Sequence, residues 1–173
     1  AAFEEVVPLA VSGDRHLIQH ARPAGLAEVN LFECLCRVVF QFVEFQSGAA
    51  RQAYAMAGVG PKDIDVAEVH DCFTITELLI YEDLGFSARG KAGEDIEAGT
   101  FKLDGEVPVN TDGGLKCFGH PLGASGLRMM YEVYKQLQGK AGERQIKDPT
   151  LGLTHNMGGA PVHCVVSCVI VGN

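Results

Sequence analysis

The sequence contains no tryptophan and few basic residues, with 14 lysines and arginines against 22 aspartates and glutamates in 173 residues. Nucleic-acid binding depends on clustered Lys and Arg that neutralise phosphates, so the formal net charge of −8 argues against a nucleic-acid partner. Apolar runs stay well below the ~20 residues that a membrane helix needs. The beginning of the sequence lacks the basic and then apolar order of a signal peptide. We therefore expect a cytoplasmic protein without membrane insertion.

The six cysteines do not favour a disulfide framework. Such frameworks are typical of short secreted chains with small cores, whereas Cys34, Cys36, Cys164 and Cys168 lie in apolar runs. Their spacing also lacks the C-x2-C couples of structural zinc sites. We expect buried, reduced thiols and no metal site.

Helical and strand patterns alternate along the chain from Ser47 onwards. They predict a helix that stops at Gly58, a strand over 64–69, a helix capped by Thr74 and Glu77, a short strand over 106–110, a long helix after Gly126, and strands over 151–154 and 162–171. The 90–105 stretch is expected to be a loop. The long helix is expected to bury one apolar stripe: Leu127, Met130, Tyr131, Tyr134 and Leu137.

This alternation predicts an α/β fold, a mixed β-sheet with helices on both faces. Residues 1–46 are too interrupted by Pro and Gly to assign, and residues 47–173 form the predicted domain.

His70 and Cys72 stand where the predicted strand gives way to a helix. If the backbone stays extended, residues two apart project to the same side, so imidazole and thiol would face one cavity while Asp71 points away. The following helix N-terminus favours a thiolate at Cys72. The alternative, a buried structural histidine beside a small core cysteine, is open at this point.

His120 lies in the loop Gly119-His-Pro-Leu-Gly-Ala-Ser-Gly126 before the long helix. Glycines allow close approach of a ligand, and a histidine with a pKa near ~6.5 can act as a general base. The rival interpretation is a phosphate-binding loop, but the segment fits neither the G-x-G-x-x-G spacing nor a P-loop.

The segment Asn156-Met157-Gly158-Gly159 is predicted to join the last two strands. Its backbone N–H groups could form an oxyanion hole, although a tight hairpin explains the same residues. The remaining histidines are assigned as structural or surface residues (His16, His20 and His163) or as a support for the site (His155).

Together, HDCF at 70–73, GHPLGASG at 119–126 and HNMGG at 155–159 resemble the C-terminal half of thiolases. The nearest likeness is to sterol-carrier-protein-type thiolases and to archaeal and bacterial acetyl-CoA acetyltransferases. The resemblance covers about 47–172, including the stretches 57–65 and 108–110. It implies a thiolase-like C-terminal domain and Claisen condensation or thiolytic cleavage of 3-ketoacyl-CoA, with a coenzyme A thioester as substrate and no cofactor.

The resemblance also implies roles for individual residues. His120 would activate a nucleophilic cysteine and join an oxyanion hole, and His70 would hold an oxyanion-hole water. Cys72 would be the acid/base that moves the proton at Cα, because Asn156 stands where many thiolases carry that cysteine. The backbone N–H of Gly158 would complete a second oxyanion hole, and the substrate would lie against Phe73, Gly119, Pro121 and Asn156.

The nucleophilic cysteine of the family belongs to an N-terminal half, and the surroundings of Cys34 and Cys36 do not match it. We therefore expect half of an active site, inactive alone and completed by a thiolase N-terminal half or partner subunit within a homo-oligomer. Two alternatives are a thiolase-like retro-aldolase acting on CoA thioesters and a non-catalytic acyl-CoA-binding partner subunit.

Overall fold

The computed structural model of the chain describes residues 9–11, 46–159 and 164–172. Within these ranges four strands form one sheet: β1 (Leu9–Val11), β2 (Val66–Val69), β3 (Leu151–Gly158) and β4 (Val165–Gly172). The strand order is β1-β4-β3-β2, with β2 parallel to β3 and the other two pairs antiparallel. The sheet is therefore mixed, and its parallel pair needs the crossover connection that the helices supply.

Among the described residues, five helices accompany the sheet. They are α1 (46–57), α2 (Thr74–Asp83), α3 (Ala92–Ala98), α4 (Gly114–Phe118) and α5 (Ser125–Leu137), with single 3₁₀ turns at Pro61–Asp63 and Gly142–Arg144. No helix among the described residues is long and apolar enough to cross a membrane.

The two faces of the sheet are covered by different helices. Helix α5 packs on one face, where the Val133 side chain occupies the space beside Gly152 of β3. On the other face, Leu153 joins an apolar core with residues of α1 and α2 such as Tyr54 and Ile80. The predicted fold class, a mixed α/β sheet with helices on both faces, is confirmed.

Several local predictions are wrong. The 90–105 stretch contains α3, whose first turn carries Glu94 and Asp95, acidic groups that suit a helix N-terminus. The predicted strand over 106–110 forms only an isolated bridge between Val109 and Ala67. No capping box forms at α2, because Phe73 is the N-cap and the Glu77 carboxylate instead accepts a hydrogen bond from the Tyr81 hydroxyl at 2.6 Å.

The buried face of α5 also differs from the predicted apolar stripe. Leu127 and Tyr131 are 69% and 63% exposed, whereas Glu132 and Gln136 are buried. These two polar side chains are tolerated inside because they hydrogen-bond to Thr111 and to one another. Of the predicted stripe, Leu127 and Tyr131 are exposed, Met130 and Tyr134 are half-buried and Leu137 is buried, while the apolar side chains of Met129 and Val133 lie on the buried face.

Strand β3 is longer than predicted and runs to Gly158. Strand β3 continues through His155, Asn156 and Gly158, each of which pairs with a residue of β4. The HNMGG motif is therefore mostly strand, and Asn156 lies at the end of the sheet that also carries the end of β2.

Candidate functional site

His70 and His120 converge, although they lie on separate elements. His70 follows the last residue of β2, and His120 lies in the loop between α4 and α5. Their ring centroids are 4.8 Å apart and the ring planes meet at 82°. His70 is buried, whereas His120 is exposed. Two imidazoles in edge contact, one of them open to the surface, can exchange protons with a group that approaches from outside.

Each histidine is held through its Nδ1 atom. His70 Nδ1 lies 2.8 Å from Asn156 Oδ1 on β3, and His120 Nδ1 lies 2.8 Å from the Ser125 hydroxyl, at the first residue of α5. Ser125 is fully buried and its hydroxyl also donates to the Pro121 carbonyl at 3.2 Å. Among the described residues, the hydrogen bonds of both rings thus use Nδ1 and leave Nε2 available.

The loop that carries His120 is anchored to the HDCF motif by Asp71. Its Oδ1 accepts a hydrogen bond from the backbone N–H of Leu115 at 2.8 Å, in the first turn of α4. Gly114 has φ +65° and a side chain there would collide with the Asp71 carboxylate, so only glycine fits. This anchor was not predicted from the sequence, although the available signal was an Asp after a strand together with a Gly-Gly pair.

The electrostatics of the site favour a neutral His70. Burial lowers its pKa, the Asn156 hydrogen bond raises it, and the nearby His120 lowers it again. The positive form of His70 is thus disfavoured by its buried position and by the neighbouring imidazole.

A buried polar network lies behind the site, between the sheet and α5. The Thr111 hydroxyl lies 3.2 Å from Glu68 Oε1 and 3.3 Å from Glu132 Oε1. Arg128 forms an ion pair with Asp112, and its Nη1 atom lies 3.7 Å from Glu68 Oε2. Burial is the main reason that the pKa of Glu68 is raised to about 9. The negative charges of Asp112 and Glu132 raise this pKa further, and the positive charge of Arg128 lowers it. Glu68 is therefore a neutral acid at pH 7.

Cys72 is half-buried, and no hydrogen bond to its thiol is found within the described part of the chain. The predicted substrate-contacting residues lie at the surface: Phe73 is 68% exposed, and Gly119 and Pro121 are exposed. Asn156 is half-buried at His70. The acid/base role of Cys72 and the substrate contacts stay predictions.

Gly158 ends β3 beside the buried thiol of Cys164. Burial raises the pKa of Cys164, and the backbone N–H of Gly158 acts in the opposite direction. The oxyanion-hole role of this N–H stays a prediction. Cys164 and Cys168 are buried free thiols, as expected, whereas Cys34, Cys36, His16, His20 and His163 lie outside the described residues.

His155 belongs to the opposite face of the sheet from Glu68. It pairs in register with Val69 and Cys168, is fully buried, and neither ring nitrogen has a hydrogen-bond partner among the described residues. Burial, and secondarily the proximity of His70, lowers the pKa of His155 to about 3. It is a neutral core residue on the strand that carries Asn156.

The segments that carry His70 and His120 expose large apolar side chains. Six large side chains that flank His70, His120 and Ser125 in the sequence are between 58% and 81% exposed: Phe73, Ile75, Phe118, Leu122, Leu127 and Tyr131. The described residues contain no group of three or more His, Cys, Asp or Glu side chains placed to hold a metal ion.

Known proteins are similar to part of this chain. An acetyl-CoA acetyltransferase of Methanothermobacter thermautotrophicus is 52% identical over 111 residues, covering 64% of this chain and 29% of the relative. Sterol carrier protein 2 of Rattus norvegicus is 46% identical over 110 residues, covering 64% of this chain and 20% of the relative.

A solved structure, that of the Ltp2-ChsH2(DUF35) aldolase, is 29% identical with a TM-score of 0.62, covering 73% of this chain and 31% of the other. The chain thus spans less than a third of the length of each of these three proteins. The family model described as thiolase C-terminal domain-like matches residues 40–171. The chain therefore belongs to the thiolase C-terminal domain-like family.

Proposed function

We propose that this chain supplies the histidine and acid/base side of a thiolase active site. The reaction would make or break the bond between Cα and the 3-keto carbon of a 3-ketoacyl-CoA. An acyl group would be held on a cysteine between the two half-reactions. The observation that carries the proposal is the contact between His70 and His120, whose rings lie 4.8 Å apart at the ends of separate elements. The acetyl-CoA acetyltransferase relative supports the choice of chemistry.

His120 is proposed as the general base for the nucleophilic cysteine. Its exposed ring can reach a thiol that approaches from outside the domain, and its Nδ1 is already held by Ser125. His70 is proposed to orient a water in the oxyanion hole, since burial and the nearby His120 both favour its neutral form.

Cys72 is proposed as the acid/base that removes or returns the proton at Cα. Its place two residues after His70 and directly before α2 puts it at the same end of the sheet as both histidines. The backbone N–H of Gly158 is proposed to complete the second oxyanion hole, at the end of β3.

The nucleophilic cysteine is proposed to come from a thiolase N-terminal half, outside the third of the relatives that this chain matches. The exposed apolar residues around the histidines support this proposal, because Leu122 and Leu127 are 81% and 69% exposed and would be covered by the other half. Alone, the chain would have no thiolase turnover. The complete enzyme would be a homo-oligomer acting on acyl-CoA.

A second candidate function is retro-aldol cleavage of a CoA thioester. The structural similarity to the Ltp2-ChsH2(DUF35) aldolase favours it. That reaction would keep the fold and the binding of a CoA thioester but would not need an acid/base thiol or free CoA.

The test is thiolysis of acetoacetyl-CoA by the complete assembly with single substitutions in this chain. We expect Cys72→Ala and His120→Ala each to lose at least ~10²-fold in turnover, since each removes a proton-transfer group. Cys117→Ala is the matched control, because Cys117 is an exposed thiol on α4 that has no role in the proposed chemistry. Its turnover should stay at the level of the unsubstituted enzyme.

Unchanged turnover of the Cys72→Ala variant would refute the acid/base assignment. Cleavage of a 3-hydroxyacyl-CoA without free CoA, and without loss in that variant, would favour the aldolase instead. Binding of acyl-CoA without any cleavage would favour a non-catalytic partner subunit.

A further inference from the structure

Each of the two histidines has one hydrogen-bond partner at Nδ1: the Ser125 hydroxyl at His120 and the Asn156 side-chain amide at His70. The chemistry of this partner determines which ring nitrogen carries the proton. Carbonyl and amide oxygens only accept hydrogen bonds, whereas a serine hydroxyl has one hydrogen to donate. In a neutral imidazole, one nitrogen donates and the other accepts. The partner of Nδ1 therefore decides whether Nε2 presents a lone pair or a proton.

At His120 the partner is Ser125. Its hydroxyl hydrogen is directed to the Pro121 carbonyl at 3.2 Å, so the oxygen is left to accept from His120 Nδ1 at 2.8 Å. Ser125 is fully buried as the first residue of α5, so water does not compete for its hydroxyl.

At His70 the partner is Asn156. Its Oδ1 lies 2.8 Å from His70 Nδ1, and this oxygen can only accept. Asn156 is held in place by the register of β3 with β4, where it pairs with Ser167. The amide nitrogen of Asn156 is directed toward Gly126, the second residue of α5.

We propose that Ser125 and Asn156 are positioning residues that hold His120 and His70 as Nδ1–H tautomers, so that both Nε2 atoms present lone pairs in the site. The role of these tautomers in the reaction rests on the proposed function. His120 Nε2 then accepts the proton of the nucleophilic thiol. His70 Nε2 accepts one hydrogen of a water, whose other hydrogen is free to point at the thioester oxygen.

The arrangement also explains why the two histidines can be in contact without hydrogen-bonding to each other through their basic nitrogens. Both Nδ1–H groups are directed away from the shared space into hydrogen bonds, so each ring keeps its basic nitrogen for the reaction.

The test is the tautomeric state of each ring, read by two-dimensional ¹H–¹⁵N NMR of the ¹⁵N-histidine-labelled 173-residue chain. His70→Gln and His120→Gln spectra assign the two signals. We expect the Nδ1–H pattern for both rings. Ser125→Ala should shift most of His120 to the Nε2–H form while His70 is unchanged, and Asn156→Ala should do the reverse.

Conservative substitutions provide the rescue. Ser125→Thr keeps a hydroxyl and Asn156→Asp keeps an accepting oxygen, so both variants should retain the Nδ1–H pattern. The negative charge that Asn156→Asp adds should also raise the pKa of His70. In each variant the unaffected histidine reports that the fold is intact.

An Nε2–H pattern for either ring in the unsubstituted chain, or an unchanged pattern in Ser125→Ala and Asn156→Ala, would overturn the proposal. Neither result depends on turnover. A failure of the thiolase assay with the expected tautomers would therefore count against the proposed function alone.

Discussion

At the scale of single residues, the ionisation of Glu68 has a consequence for stability. Its carboxyl group is enclosed with those of Asp112 and Glu132, and burial is the main reason that its pKa rises from 4.5 to about 9. The folded chain holds this proton where the unfolded chain has released it. Between pH 4.5 and about 9 the folded state thus binds more protons, so the free energy of unfolding falls as the pH rises.

We predict that Glu68→Gln removes this fall, because an amide has the shape of the protonated acid and no proton to lose. The variant should match the unsubstituted chain near the ordinary pKa of glutamate. Its advantage should then grow by up to about 1.4 kcal/mol per pH unit. Urea unfolding at about pH 5 and about pH 8 measures the difference.

Glu97→Gln is the control, because Glu97 lies exposed on α3 and its side chain is in water in both the folded and the unfolded state. Its stability should follow that of the unsubstituted chain at both pH values. If the stability of the Glu68→Gln variant ran parallel to that of the unsubstituted chain over this range, Glu68 would be ionised in the folded protein.

The catalytic candidates were predictable at this scale because their motifs are local. His70 and His120 stand next to element boundaries that Gly, Pro and the apolar pattern mark in the sequence. Their contact was not predictable from spacing alone, since it depends on Asp71 and Asn156, which act across the fold through hydrogen bonds.

At the scale of elements, helix α4 is built to fit against the HDCF motif. Gly113 and Gly114 have φ of +96° and +65°, and Gly114 N donates to Asp112 Oδ1 at 2.9 Å. This tight turn brings the N–H of Leu115 to Asp71, so the loop that carries His120 starts from a fixed point.

We predict that Gly114→Ala lowers the free energy of unfolding by about 2–4 kcal/mol, because it adds backbone strain at positive φ and a collision with the Asp71 carboxylate. Gly93→Ala is the matched control. Gly93 lies within α3 with open space around it, so alanine there should stabilise by roughly 0.5–1 kcal/mol. Thermal and urea unfolding of both variants measure the effect, and equal stability of the two would contradict this role of Gly114.

The elements themselves were predictable to different degrees. Strand β2 and helices α1, α2 and α5 follow clear apolar periods, and their existence was predicted. Helix α3 is short and polar, so it lacks a periodic signal. The orientation of α5 was misjudged because its buried face includes Glu132 and Gln136, whose burial depends on partners on other elements.

At the scale of the whole molecule, the Leu127 and Tyr131 side chains of α5 are exposed, as is His120 in the loop before this helix. Helix α5 lies on the sheet with its polar network inward, which leaves Leu127 and Tyr131 outward. A helix that is apolar on its outer side is typically buried between two layers. We therefore expect that, in the complete enzyme, a second layer covers the histidines and supplies the nucleophilic cysteine.

The most direct test of this central claim is the location of the acyl group. The complete enzyme would be incubated with acetoacetyl-CoA without added free CoA, quenched in acid and mapped by peptide mass spectrometry. The account predicts an acetyl group on a cysteine outside the six of this chain. Acetylation of Cys72 would contradict the account, because it would make the proposed acid/base the nucleophile.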